Sequence, residues 1–222
     1  MESEVDLARK VVAWLKEQKW EVYQEVEHRK SGGIADIVAT QGPLLWIIET
    51  KMRFGLDVVA QAKRWIPYAH YSSVATPWTR NHTEILDEYL RWKGIGRLRV
   101  SEFTHQCPVD IEVPARLNRK APHVSAIKKI LKPEHQTYAE AGSACGGRYT
   151  PYTATCDELR RYLKDHPGSS LKETIANIKT HYASKQSAVS SLSHWIQAGS
   201  IGGVICKKEG RFIKLYLEEI SQ

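Results

Sequence analysis

Residues 34–52, IADIVATQGPLLWIIETKM, hold two apolar runs separated by Gln41-Gly42-Pro43. Short Val/Ile/Leu-rich runs bounded by turn residues read as strands covered on their faces. Yet Asp36 sits inside the first run, and Glu49 and Lys51 end the second. Side chains alternate across a strand, so Glu49 and Lys51 are expected to share a face, and a neighbouring strand can bring Asp36 beside them. Ordinary ion pairing at a strand end is the competing reading. It is the weaker one, because desolvating three charges costs more than their pairing usually returns.

The flanking segments supply a fold. Residues 3–18 place Val5, Ala8, Val12 and Leu15 at helical spacing, and WEVYQEVEH (20–28) alternates with period two, putting Glu21, Glu25 and Glu27 on the exposed face. After the two apolar strands, residues 56–70 follow helical periodicity up to Pro67, with Val59, Ala62, Trp65 and Ile66 on one side. SSVATP reads as a strand, TEILDEYLRWKG as a helix closed by Gly94, and GRLRVSEF as a last strand. The order αβββαβαβ predicts an α/β domain over 1–118 with a central mixed sheet flanked by helices. Residues 119–155 are rich in Gly, Pro, Ser and Thr, with one short helical stretch at SAIKKIL, and read as a linker. A second domain over 156–222 then shows three short helices and a hairpin turning at Glu209-Gly210. Its third helix, capped by Ser184 and stopped by Gly199, has Val189, Leu192, Trp195 and Ile196 as the expected buried stripe.

Two facing carboxylates repel one another, and a hard divalent cation relieves the repulsion by taking oxygen ligands from both. Such an ion polarises a phosphate oxygen and lowers the pKa of a bound water, while a lysine orients that water or stabilises developing negative charge. The segment Ala35-Asp36…Glu49-Thr50-Lys51, in the order helix, three strands, helix, strand, resembles the PD-(D/E)xK nuclease superfamily, with its restriction-endonuclease-like αβββαβ core. The resemblance covers residues 3–103, and Ala35 stands where the motif's name has proline. It implies a Mg²⁺-dependent nuclease, with Mn²⁺ as a substitute ion. Asp36 and Glu49 would hold the metal and Lys51 would serve the attacking water. By the same resemblance a further carboxylate comes from the first helix, for which Glu4 is the best match and Glu25 the second. A glutamine on the following helix, Gln61 four residues before Trp65, would orient Lys51 or contact DNA.

The formal charge of +7 is uneven: residues 1–118 carry sixteen of each sign, and 119–222 carry sixteen basic residues against nine acidic ones. That excess points to a polyanion. By element order the second domain resembles winged helix-turn-helix DNA-binding domains. In such a domain Lys185, Gln186, Ser187 and Ser190, at the start of the third helix, would enter the major groove. Lys207, Lys208, Arg211 and Lys214 on the hairpin would clamp the backbone.

The leading expectation is a metal-dependent endonuclease acting on duplex or branched DNA, delivered by its C-terminal domain. A homodimer would supply the two active sites that double-strand cutting needs. The competing functions are a catalytically silent DNA-binding regulator on the same fold, and an RNA or single-strand nuclease using Trp46, Trp78 and Trp92 to stack bases. Four widely spaced cysteines without zinc-finger spacing read as reduced thiols. No apolar run is long enough to span a bilayer and the charged N-terminus lacks a signal-peptide core, so an intracellular location is expected.

Overall fold

The computed structural model describes residues 1, 3–80, 84–102, 108–137, 140–142, 149–209 and 212–218. The chain divides into two compact units, Met1–Arg148 and Tyr149–Gln222.

The first unit is an α/β layer structure. Helix α1 (Glu4–Glu17) begins where the Ser3 hydroxyl accepts a hydrogen bond from the Asp6 amide at 3.1 Å. It buries Leu7, Ala8, Val11, Val12 and Leu15 along one stripe. Each large apolar side chain removed from water contributes roughly 1.5–3 kcal/mol, so a charge at Val11 would unseat the helix. The sheet comprises β1 (Glu21–His28), β2 (Gly33–Gln41), β3 (Leu44–Thr50), β4 (Tyr71–Pro77), β5 (Gly96–Val100) and β6 (Val109–Val113), adjacent in that order. β1, β2 and β3 pair antiparallel, β3, β4 and β5 parallel, and β5 and β6 antiparallel.

Helices α2 (Leu56–Arg64) and α3 (Glu84–Lys93) supply the crossovers that parallel strands require. α1 packs on the sheet face of Ile37, Ala39 and Ile48. The opposite face is covered in two patches. Trp65 and the segment beyond β6 pack on Val38, Leu45 and Ile47. α2 and the loop after α3 pack on Val74 and Val113. Within this layer Arg97 on β5 and Asp87 on α3 form a buried pair, with Nη1 2.9 and 3.1 Å from the two carboxylate oxygens.

Three expectations need correction. β1 does not alternate cleanly: Glu25 has φ +51, in the left-handed region, and is 5 % exposed, so a residue expected on the solvent side turns inward without any shift of the β1–β2 register. β6 lies in a stretch that composition left unassigned. The segment expected to be a linker is largely part of the first unit. Val124, Ile130 and Leu131 pack beside buried Ile127 on the sheet, α4 (Val124–Lys128) lies within the segment, and His135 is buried. The apolar residues that hold it down are too few and too irregular to show a period.

The second unit holds α5 (Pro151–Asp165), α6 (Leu171–Asn177), α7 (Lys185–Gln197) and a hairpin of β7 (Val204–Glu209) and β8 (Phe212–Leu217). Thr150 caps α5 six residues before the expected start, Ser170 and Glu173 form the capping box of α6, and Ser184 caps α7. Leu159, Leu163, Ile175, Ala188, Leu192 and Leu215 form its core. Trp195 departs from expectation: it is 43 % exposed and lies edge-on to Tyr152, while Ala188 takes the inward place. Among the described residues no helix is long and apolar enough to cross a membrane. Cys156 is buried and Cys206 exposed, both as free thiols; Cys107 and Cys145 lie outside the described residues.

Candidate active site

The site forms where β2 begins and β3 ends. Antiparallel pairing joins Ile37 to Ile48, so one step outward Asp36 faces Glu49. Glu49 lies on the same face as Ile47, under α2, and is 2 % exposed. Its Oε1 accepts a hydrogen bond from Trp65 Nε1, and Trp65 is fully buried just past the end of α2. Asp36 is half-buried, and its Oδ2 accepts from the Thr50 amide at 2.8 Å and the Thr50 hydroxyl at 3.0 Å.

Burial, then the neighbouring Asp36 charge, pushes the Glu49 carboxyl up to about 9 against the pull of Trp65 and Arg64, and a hydrogen bond between the two carboxyls adds to the rise. Burial also raises Asp36; the two hydrogen bonds from Thr50 oppose that rise, Glu4 adds to it and Lys51 opposes it. Without a cation, then, the pair retains a proton at neutral pH.

Lys51 does not share a face with Glu49 as the alternation rule implied. The last assigned residue of β3 is Thr50, but the Lys51 amide still donates to the Ala75 carbonyl of β4 at 3.0 Å, so it is the long side chain that departs. The lysine swings instead toward the α1 layer, where its Nζ lies 2.8 Å from Glu4 Oε1. The hydrogen bond to Glu4 raises the ammonium's pKa, and the charges of Glu4, Asp36 and Asp57 add to the effect. Lys51 is therefore a committed cation at the rim of the carboxyl pair. The sequence-expected Glu4 is brought to the site, but as the partner of Lys51. Among the described residues no three His, Cys, Asp or Glu side chains gather into a metal-binding cluster.

Glu25 comes close by another route. The β1–β2 register sets it across from Asp36, between the Gln24–Ile37 and Val26–Ala35 pairs. Its Oε1 accepts from the Gly142 amide at 3.0 Å. Gly142, at φ +79, presses so closely on α1 that a Cβ there would lie 2.8–2.9 Å from Glu4 atoms. Gln61 is half-buried on the turn of α2 before Trp65; among the described residues no hydrogen bond ties it to the carboxyls or to Lys51.

Sequence reasoning missed Thr50 and the role of Trp65. Thr50 is the unnamed middle residue of Glu-Thr-Lys, and Trp65 reads as a core aromatic because its indole N–H leaves no mark on periodicity.

In the second unit, Gln186, Ser187 and Ser190 are exposed on α7. Lys185 is exposed but tethered: its Nζ donates to the Ala176 carbonyl at 2.9 Å, closing the end of α6. Lys207 and Lys208 are exposed on β7, Lys207 lying over the Tyr216 ring at 5.3 Å. Arg211 lies outside the described residues. No family model, curated protein or solved structure matches this chain.

Proposed function

We propose that the chain is a metal-dependent DNA endonuclease, its first unit a PD-(D/E)xK-type nuclease and its second a winged helix-turn-helix DNA reader. The observation that carries this reading is the facing pair Asp36 and Glu49 at a strand end, desolvated enough to retain a proton and flanked by the Lys51 ammonium. Structural economy does not account for such a pair, since two carboxyls buried against each other destabilise a fold. The donor set suits a hard divalent ion, with Asp36 and Glu49 as its protein ligands. Mg²⁺ or Mn²⁺ there would supply Lewis-acid polarisation of a phosphate oxygen and a more acidic bound water.

The chain's own groups prepare the rest. Thr50 fixes Asp36 through two hydrogen bonds, and Trp65 fixes Glu49 from the opposite layer. Lys51, kept protonated by Glu4, acts as a cation that orients water and stabilises charge developing on the phosphate, and not as a general base. On the second unit, the exposed polar start of α7 and Lys207 and Lys208 suit major-groove and backbone contacts.

The test is cleavage of plasmid and branched DNA with Mg²⁺ or Mn²⁺. Wild type is expected to cut, and Asp36→Ala, Glu49→Ala and Lys51→Ala to bind DNA without cutting. A wild type as inert as the three variants, with DNA binding intact, removes the catalytic reading.

A further inference from the structure

The unit boundary redistributes the positive charge. Residues 119–148, which belong to the first unit, carry six lysines and arginines against two acids, so more than half of the chain's +7 lies on the unit that holds the carboxyl pair. The backbone that carries Arg119 and Lys120 is held to the segment after α2. The Asn118 amide donates to the His70 carbonyl at 2.8 Å, and the His123 amide to the Pro67 carbonyl at 3.0 Å. The His123 ring lies 5.2 Å from Tyr68, which in turn lies 4.9 Å from His28. Arg64 closes the surface from the other side by packing over Gly33 at the β1–β2 turn, and its charge acts on Glu49. The β1–β2 turn, the segment after α2 and residues 118–132 thus form one continuous face beside the site.

Residues 27–31, 63–68 and 118–132 together contain nine lysines and arginines and a single acid, Glu27, which is 4.0 Å from Arg29. Lys30, Lys63, Arg64, Arg119, Lys120 and Lys129 are exposed, and among the described residues none of the six has an ion-pair partner. Leaving so many like charges together unpaired works against folding, and a polyanion relieves it. Of the rings on this face, His28 is buried and half-buried Tyr68 packs against both it and His123, so only His123 is exposed and no row of open rings is presented to unpaired bases.

From this we infer that the first unit carries its own track for the backbone of duplex DNA, running along the end of α2 and residues 118–132 toward the carboxyl pair, separate from any contact made by the second unit. The track meets phosphates and reads no sequence. Only the identity of the polymer rests on the proposed nuclease function.

The test uses the full chain in EDTA, titrated against a fluorescent duplex over a range of salt. The triple variant Lys63→Ala/Lys120→Ala/Lys129→Ala is expected to reduce the slope of log affinity against log salt by about 0.9 for each phosphate no longer neutralised, roughly 2.7 in all, with an unchanged melting temperature. Lys207→Ala/Lys208→Ala, made for comparison, is expected to leave that part of the slope in place. An unchanged slope in the triple variant overturns the inference, as does tighter binding of single-stranded DNA or duplex RNA than of duplex DNA. Because no metal is present, the two readings fail separately. Cleavage by wild type with an unchanged slope in the triple variant sinks the track alone, and a reduced slope in a protein that never cleaves sinks the nuclease alone.

Discussion

Glu49→Gln isolates the energetic cost of the carboxyl pair. The Glu49 carboxyl is pushed from its ordinary 4.5 to about 9, by desolvation first and then by the charge of Asp36. Between those values the folded chain binds a proton that the unfolded chain releases. The group therefore leaves stability intact below about pH 4.5, and removes about 1.4 kcal/mol for each pH unit above it until the folded value is reached. At pH 7 that amounts to on the order of 3 kcal/mol, a large share of a typical domain's stability. Glutamine keeps the shape and an oxygen for Trp65 but cannot ionise. In urea unfolding with EDTA, Glu49→Gln should lie within about 1 kcal/mol of wild type at pH 5 and be more stable by on the order of 3 kcal/mol at pH 7. Tryptophan fluorescence follows the relevant part, since six of the seven tryptophans belong to the first unit. Added Mg²⁺ should then stabilise wild type, as a ligand of the folded state does, and leave Glu49→Gln unmoved. A gap between the two proteins that is the same at pH 5 and pH 8 would refute this reasoning.

Trp65→Phe removes the donor to Glu49 while keeping a ring in the core, and is expected to weaken Mn²⁺ binding about 10- to 100-fold by calorimetry. A lower melting temperature with unchanged affinity would reduce Trp65 to a packing residue. Asp87→Ala strands the Arg97 guanidinium, 1 % exposed, and should cost about 3–5 kcal/mol in urea unfolding; a loss under about 1 kcal/mol contradicts the pair's assigned importance. Gly142→Ala forces a side chain into left-handed backbone against Glu4. It should cost about 1–2 kcal/mol or more, and an unchanged melting temperature would show that the contact is not maintained.

Much of this architecture follows from pattern. The stripe of α1, the two apolar strands and the Ser184 cap of α7 are local features, and periodicity and capping chemistry report them directly. Asp36 and Glu49 were legible because a charge inside or at the end of a buried run has few structural reasons to be there. What stayed hidden depends on three dimensions. The Lys51 ammonium reaches Glu4 on α1, so strand alternation assigned it the wrong neighbour. The left-handed backbone at Glu25 turns a side chain inward without any glycine to announce it. The 119–137 segment packs through Val124, Ile127, Ile130 and Leu131, scattered among turn residues, so composition alone made a linker of it and credited its charge to the second domain.

The most direct test of the proposed metal site is a crystal of the wild-type protein grown or soaked with Mn²⁺ and measured at an energy where manganese scatters anomalously. One anomalous peak is expected between the Asp36 and Glu49 carboxylates, with Trp65 and Thr50 still donating to them and Lys51 at the rim, and no peak in Asp36→Ala. Carboxyls that remain hydrogen-bonded to each other at millimolar Mn²⁺, with no peak between them, would contradict it.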